Sequence, residues 1–135
     1  MLVLITSLFF TEIVVQNIFL TLLVIVLTAI LFSLAGLLNA VFADSFDDIN
    51  IVPTFILTPL IYLGGVFYSI TLLNETWQFI SKLNPVLYMV NAFRYGMLGV
   101  SDINVNFAIL MISFFIIIFY TVSLYILKKG IGIRD

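Results

Sequence analysis

The chain has 135 residues, 64% of them hydrophobic and only 9% charged, with a formal net charge of -2 at pH 7. Charge this sparse cannot cover the surface of a soluble domain of such length, so the composition places the chain in a membrane. It excludes a basic patch for nucleic acid; with Cys 0 and His 0, it also excludes a disulfide framework, a thiolate metal site and an imidazole base.

Met1-Leu2-Val3-Leu4-Ile5 has neither the basic region nor the small-residue cleavage site of a secretory signal. The chain reads as beginning inside a membrane segment. Leu2 to Phe10 is apolar but well short of the roughly 20 residues a spanning helix needs, so it is read as a partial span. Glu12, Gln16 and Asn17 follow. Ile18 to Ala43 is long enough to cross with tilt, and its only strongly polar side chain is Asn39. Along it Ala29, Ser33, Gly36, Ala40 and Ala43 recur at alternating spacings of four and three. That rhythm lines small residues along one side of a helix, where another backbone can approach closely. A tight contact in a transport domain and ordinary packing in any multi-span protein both account for it.

Asp44, Asp47 and Asp48 lie in the next polar stretch. They lack the alternating oxygen ligands and late glutamate of a calcium loop, so a solvated loop is the better reading. Asp47 and Asp48 also suit the N-terminus of a following helix. Ile51 to Ile70 is the next span, with Pro53 in its first turn and Pro59 inside it. Pro53 fits a helix start, Pro59 should kink the helix, and Gly64-Gly65 would allow a bend or a close neighbour.

From Thr71 to Val100 the chain carries Asn84, Pro85, Asn91 and Arg94 between long apolar runs. Asn84-Pro85 is a helix start signal, and Gly96 and Gly99 are stop signals. The run between is too short and too polar for a lipid-facing crossing, so it is read as a re-entrant helical hairpin. Trp77, Tyr88 and Tyr95 suit a headgroup interface. An arginine at the bilayer centre costs about 2.5–3.5 kcal/mol on insertion scales, so Arg94 should face protein or water. It either lines the outer mouth of a conduit and meets an anionic headgroup or substrate, or pins the hairpin through backbone carbonyls or Glu75. Asn84 and Asn91 read as helix caps or interhelical bonds. Glu75 and Asp102 flank the region and can pair with Lys82 or Arg94. With no nucleophile and base nearby, they do not suggest an enzyme.

Phe107 to Leu127 is the last span and ends in Lys128-Lys129. Together with Arg134 these basic residues predict a cytoplasmic C-terminus. Residues 71–106 then face outside and 44–50 face the cytoplasm. Open strands in lipid would leave backbone groups unpaired, and no barrel alternation is present, so every span is read as a helix. The expectation is an all-α membrane protein of one domain over 1–135. It has three full transmembrane helices (about 18–43, 51–70 and 107–127), a partial N-terminal span and the hairpin over about 71–100. No cofactor or metal is indicated. There is no Gly-x-x-x-x-Gly-Lys-Ser/Thr loop, so any ATP hydrolysis belongs to another polypeptide.

Pro85-Val86-Leu87-Tyr88, followed after five residues by Arg94, resembles the signature of the type 2 family of ABC transporter permeases. Leu63-Gly64-Gly65-Val66-Phe67-Tyr68 is similar to that family's glycine-rich turn. Ser33-Leu34-Ala35-Gly36-Leu37-Leu38-Asn39, Phe46-Asp47-Asp48-Ile49 and Pro53-Thr54-Phe55 also resemble its members. The resemblance implies a six-span permease of the bacterial cytoplasmic (inner) membrane, paired as two copies with two separate ATPase subunits. Such complexes export substances such as glycolipids, polysaccharides or drugs. On that pattern 18–43, 51–70 and 107–127 are the fourth, fifth and sixth spans, and the hairpin enters from outside between the last two. The family's first half, with the helix that grips the ATPase, has no counterpart here, and its frequent proline near Asn74 is missing. The chain therefore resembles a C-terminal half, with Met1 inside the third span. A non-transporting scaffold or inactive remnant of such a permease is the alternative. An ion-coupled transporter is disfavoured, because 18–43 and 107–127 hold no ionisable group in mid-span.

Overall fold

The computed structural model describes residues 15–43 and 45–130. The expected short span at Leu2–Phe10, and Asp44 and Arg134, lie outside the described residues. Among the described residues the secondary structure is helical, with no strand.

The first helix, α1 (Ile18–Phe42), has 25 residues, which at 1.5 Å each is about 37 Å. Asn17 starts it: its Oδ1 accepts the Leu20 N–H at 3.0 Å, satisfying one of the donors a helix start leaves free. The last helix, α6 (Val105–Lys129), also has 25 residues and begins at Asn104, whose Oδ1 accepts from Asn106 and Phe107. Both are long and apolar enough to cross a membrane. Gly130 ends α6 in the left-handed conformation, φ 66°, that glycine adopts without a Cβ penalty.

The helix expected over 51–70 starts earlier and stops sooner. Ser45 begins it: Oγ accepts the Asp48 N–H at 3.3 Å, and Asp47 and Asp48 occupy the first turn, where negative charge is favourable. It runs as α2 (Phe46–Ile51), a π-helical stretch (Val52–Leu57) and α3 (Thr58–Leu63), with helical backbone angles at each junction. Pro53 therefore lies inside this helix and not at its start, because the Ser45 cap upstream already satisfies the first turn. Gly64 and Gly65 end it, and Gly65 has φ 71°.

A 3-10 turn (Ile70–Leu72) leads into α4 (Glu75–Lys82), capped by Asn74. Next comes α5 (Pro85–Leu98), capped by Asn84 and closed by Gly99 at φ 72°. α5 continues through Gly96, the first of the two expected stop signals. Its C-terminal end meets the start of α1, where the Asn17 N–H donates to the Gly96 carbonyl at 2.9 Å. α1 and α6 thus begin at the same end of the bundle, and α5 runs against them. With 14 residues, about 21 Å, α5 covers only the first part of their length. The core is where the three meet: Val24 and Leu31 of α1, Tyr88, Met89 and Ala92 of α5, and Ala108 and Ile112 of α6.

Candidate functional site

Buried polar groups are expensive unless paired, so their partners show what the hairpin is for mechanically. Asn84 is 3% exposed and uses both ends of its amide. Oδ1 accepts the Val86 N–H at 2.9 Å and caps α5, while Nδ2 donates to the Leu60 carbonyl at 2.6 Å. That carbonyl is in the last turn of α3; the Gly64 N–H bonds Ile61 instead. Pro85 takes the first helical position, where a missing N–H costs nothing. The contact is close. A Cβ on Gly64 would stand 2.7 Å from Val86 Cγ1, so only glycine lets α3 and α5 meet this way. Asn84→Ala should lower stability by about 2 kcal/mol, combining a lost cap with an orphaned carbonyl. A chemical-denaturation curve of the purified chain checks this, with Asn84→Ser, whose hydroxyl keeps the cap alone, recovering part of the loss.

Arg94 joins three segments. Nη2 donates to the Gly65 carbonyl at 2.6 Å, and Nη1 meets Asp102 Oδ2 at 3.4 Å. Asp102 Oδ2 also accepts the Ile70 N–H at 3.3 Å. The Arg94 side chain is 23% and the Asp102 side chain 14% exposed, so the two charges largely neutralise each other away from bulk water. Asn91 supports Asp102 from behind. It is fully buried; its Oδ1 accepts the Asp102 N–H at 2.8 Å and its Nδ2 donates to the Leu87 carbonyl at 3.0 Å. Asn84, Asn91 and Arg94 thus belong to one construction that ties the turn after α3, helix α5 and the loop before α6. The carboxylate partner is Asp102 and not Glu75, which is exposed in the first turn of α4.

Tyr88, read from the sequence as an interfacial ring, is 2% exposed. Its hydroxyl donates to the Lys82 carbonyl and its ring meets Phe107 edge-on at 5.9 Å. Trp77 and Tyr95 are exposed. On α1 the small residues Ala29, Ser33, Gly36 and Ala40 are exposed, Ala43 is half-buried, and the face turned to the core carries Thr21, Val24 and Leu31. Pro59 sits in the first turn of α3, next to the π-helical stretch.

Two contributors were missed in the sequence reading. Gly96 lies against α1: a Cβ there would be 2.5 Å from Thr21 Oγ1 and 3.1 Å from the Thr21 nitrogen. Asn39 donates from Nδ2 to the Ile49 carbonyl at 2.9 Å. Ile49 is four residues before Pro53, which has no N–H for it, so a polar residue facing a proline-bearing helix was the available signal. Beside the polar construction an open apolar groove of about 770 Å³ runs between α1 and α5, with Val24, Phe32, Met89 and Phe93 on its walls and Arg94 on its border. Among the described residues its polar lining is Thr28 and Arg94, with no base beside the hydroxyl, and its shape and polarity suit contact with an apolar or amphiphilic molecule.

Two long apolar helices packed with a shorter helix that is tied by buried polar side chains define an all-helical domain whose long helices are apolar enough to span a membrane. Residues 1–98 match the family model described as ABC-2 type transporter, and the chain belongs to that family. It is similar to the inner membrane transport permease YadH of Escherichia coli (strain K12), with 53% identity over 131 residues, 96% of this chain and 50% of that protein. It is also similar to nodulation protein J of Rhizobium leguminosarum bv. viciae, with 26% identity over 106 residues, 78% of this chain and 41% of that protein. The chain spans about half the length of these relatives. No solved structure matches.

Proposed function

We propose that the chain is the C-terminal half of the membrane subunit of an ATP-driven exporter in the bacterial inner membrane. Kinship with a protein named an inner membrane transport permease supports the location and the class. The observation that carries the reading is α5: a helix much shorter than its neighbours, packed against both α1 and α6 and tied near both ends by Asn84 and Arg94. A re-entrant hairpin of α4 and α5 accounts for this length and for the buried polar groups. In this reading α1, the Phe46–Leu63 helix and α6 are three full spans, and the hairpin enters from the outer face. Two copies of the complete permease pair, a separate ATPase drives them, and lipid surrounds them. The groove beside Arg94 lies on the path of the exported molecule, or next to it. The chain itself hydrolyses nothing.

The chain has Cys 0, so single cysteines report without background. Lys82→Cys should react with a membrane-impermeant maleimide from the periplasmic side, and Lys128→Cys only after the cytoplasmic side is opened. Labelling of both positions from one side would overturn the proposed arrangement.

A further inference from the structure

The Phe46–Leu63 helix departs from α geometry between its two prolines. A regular bond from position 59 would reach the Phe55 carbonyl, but proline has no N–H to give and its ring crowds that oxygen. In the widened turn Thr58 reaches one residue further back: its N–H and its Oγ1, the latter at 3.2 Å, both donate to the Pro53 carbonyl. Each proline forfeits one bond in either register, while ring crowding weighs on the α register. The two registers are therefore closer in free energy than in an ordinary helix, where a π turn is rare. Slipping between them moves both Thr58 donors from the Pro53 carbonyl to that of Thr54.

The surroundings leave room for that slip. Asn39 holds the inner end at Ile49, and Asn84 holds the outer end at Leu60. Between these anchors Val52 to Ile56 are exposed. An apolar cavity of about 240 Å³, bordered by Ala35, Gly36, Val52 and Ile56, separates the segment from α1. Among the described residues, nothing would lie within 4 Å of a Cβ on Gly36.

We infer that Val52–Leu57 is a hinge, at which the middle of this helix swings across the cavity onto Ala35 and Gly36 while Asn39 and Asn84 hold its ends. The inference rests on the reading of this helix as a membrane span, and its test does not use export, so the two can fail separately. In the structure the side of Gly36 is open, whereas a disulfide needs β-carbons about 3.8 Å apart. Gly36→Cys with Ile56→Cys, oxidised in membranes, should therefore cross-link mainly through the swung-in state, which brings the two β-carbons into the range of about 3.5–4.5 Å. The expected result is an intrachain cross-link, detected as a joined fragment after cleavage between the two positions. Adding Ala35→Leu fills the cavity and should slow cross-linking by about tenfold, the equivalent of the milder overpacking penalties. Absence of a cross-link in the double-cysteine chain overturns the inference without reference to the third variant. An unchanged rate with Ala35→Leu in a chain of unchanged stability also overturns it; Ala35→Val is the substitute if the leucine variant fails to accumulate.

Discussion

Gly96→Leu is expected to force α5 away from α1 and to destabilise the chain by about 3 kcal/mol or more, the upper end for overpacking. Even a single Cβ at this position would stand 2.5 Å from Thr21 Oγ1 and 3.1–3.2 Å from Thr21 backbone atoms. The contact cannot be relieved locally. Thr21 is buried, its hydroxyl donates to the Asn17 carbonyl, and Asn17 in turn donates its N–H to the Gly96 carbonyl. A displacement there therefore breaks the capping of α1 together with the α1–α5 contact. Thermal unfolding followed through Trp77 should show the loss, with Gly96→Ala intermediate. Thr21→Ala should recover part of the Gly96→Ala deficit by removing the nearest atom, and none of it if the deficit arises elsewhere. Gly96→Leu with unchanged stability would mean that the close approach of the two helices is not required.

The second large effect is expected at Arg94. Arg94→Ala leaves the Asp102 carboxylate without its cation and the Gly65 carbonyl without its donor, and breaking one side of such a pair costs about 3–5 kcal/mol. Lysine should not restore it, since a single ammonium cannot hold a carbonyl and a carboxylate in the geometry of the planar fork. Arg94→Ala with Asp102→Asn should be less damaging than the sum of the two changes, because the double variant buries no unpaired charge. A double-mutant cycle on unfolding free energy measures that coupling. In the complete permease, Arg94→Ala should also lower export. Normal export at normal expression would confine Arg94 to a structural role that the protein can spare.

Much of the local structure was legible. Asn84-Pro85 announced the start of α5, and Asn84 caps it because a short side-chain oxygen satisfies a free N–H there. Gly64-Gly65 announced the close approach that Val86 makes. The boundary of the Phe46–Leu63 helix was misplaced because Pro53 is a strong start signal, yet Ser45 followed by Asp48 offered a better one six residues before the expected start at Ile51. Asp102 and Glu75 were equivalent partners for Arg94 on paper. They differ only in that the chain reverses after α5 and returns Asp102 to the guanidinium.

The amino-acid order alone determined that the chain is a helical membrane protein of this family, since sparse charge, long apolar runs and the Pro85-to-Arg94 pattern need no partner to be read. Which side of α1 faces the core was decided only by folding. A helix apolar all round has no periodic signal to choose a buried face. α5 and α6 took Thr21, Val24 and Leu31, while the evenly spaced small residues stayed outside. The widened turn itself is set locally by the two prolines and Thr58, whereas the ties on either side of it, Asn39 to the Ile49 carbonyl and Asn84 to the Leu60 carbonyl, were decided only by folding, because those residues become neighbours only in the folded chain.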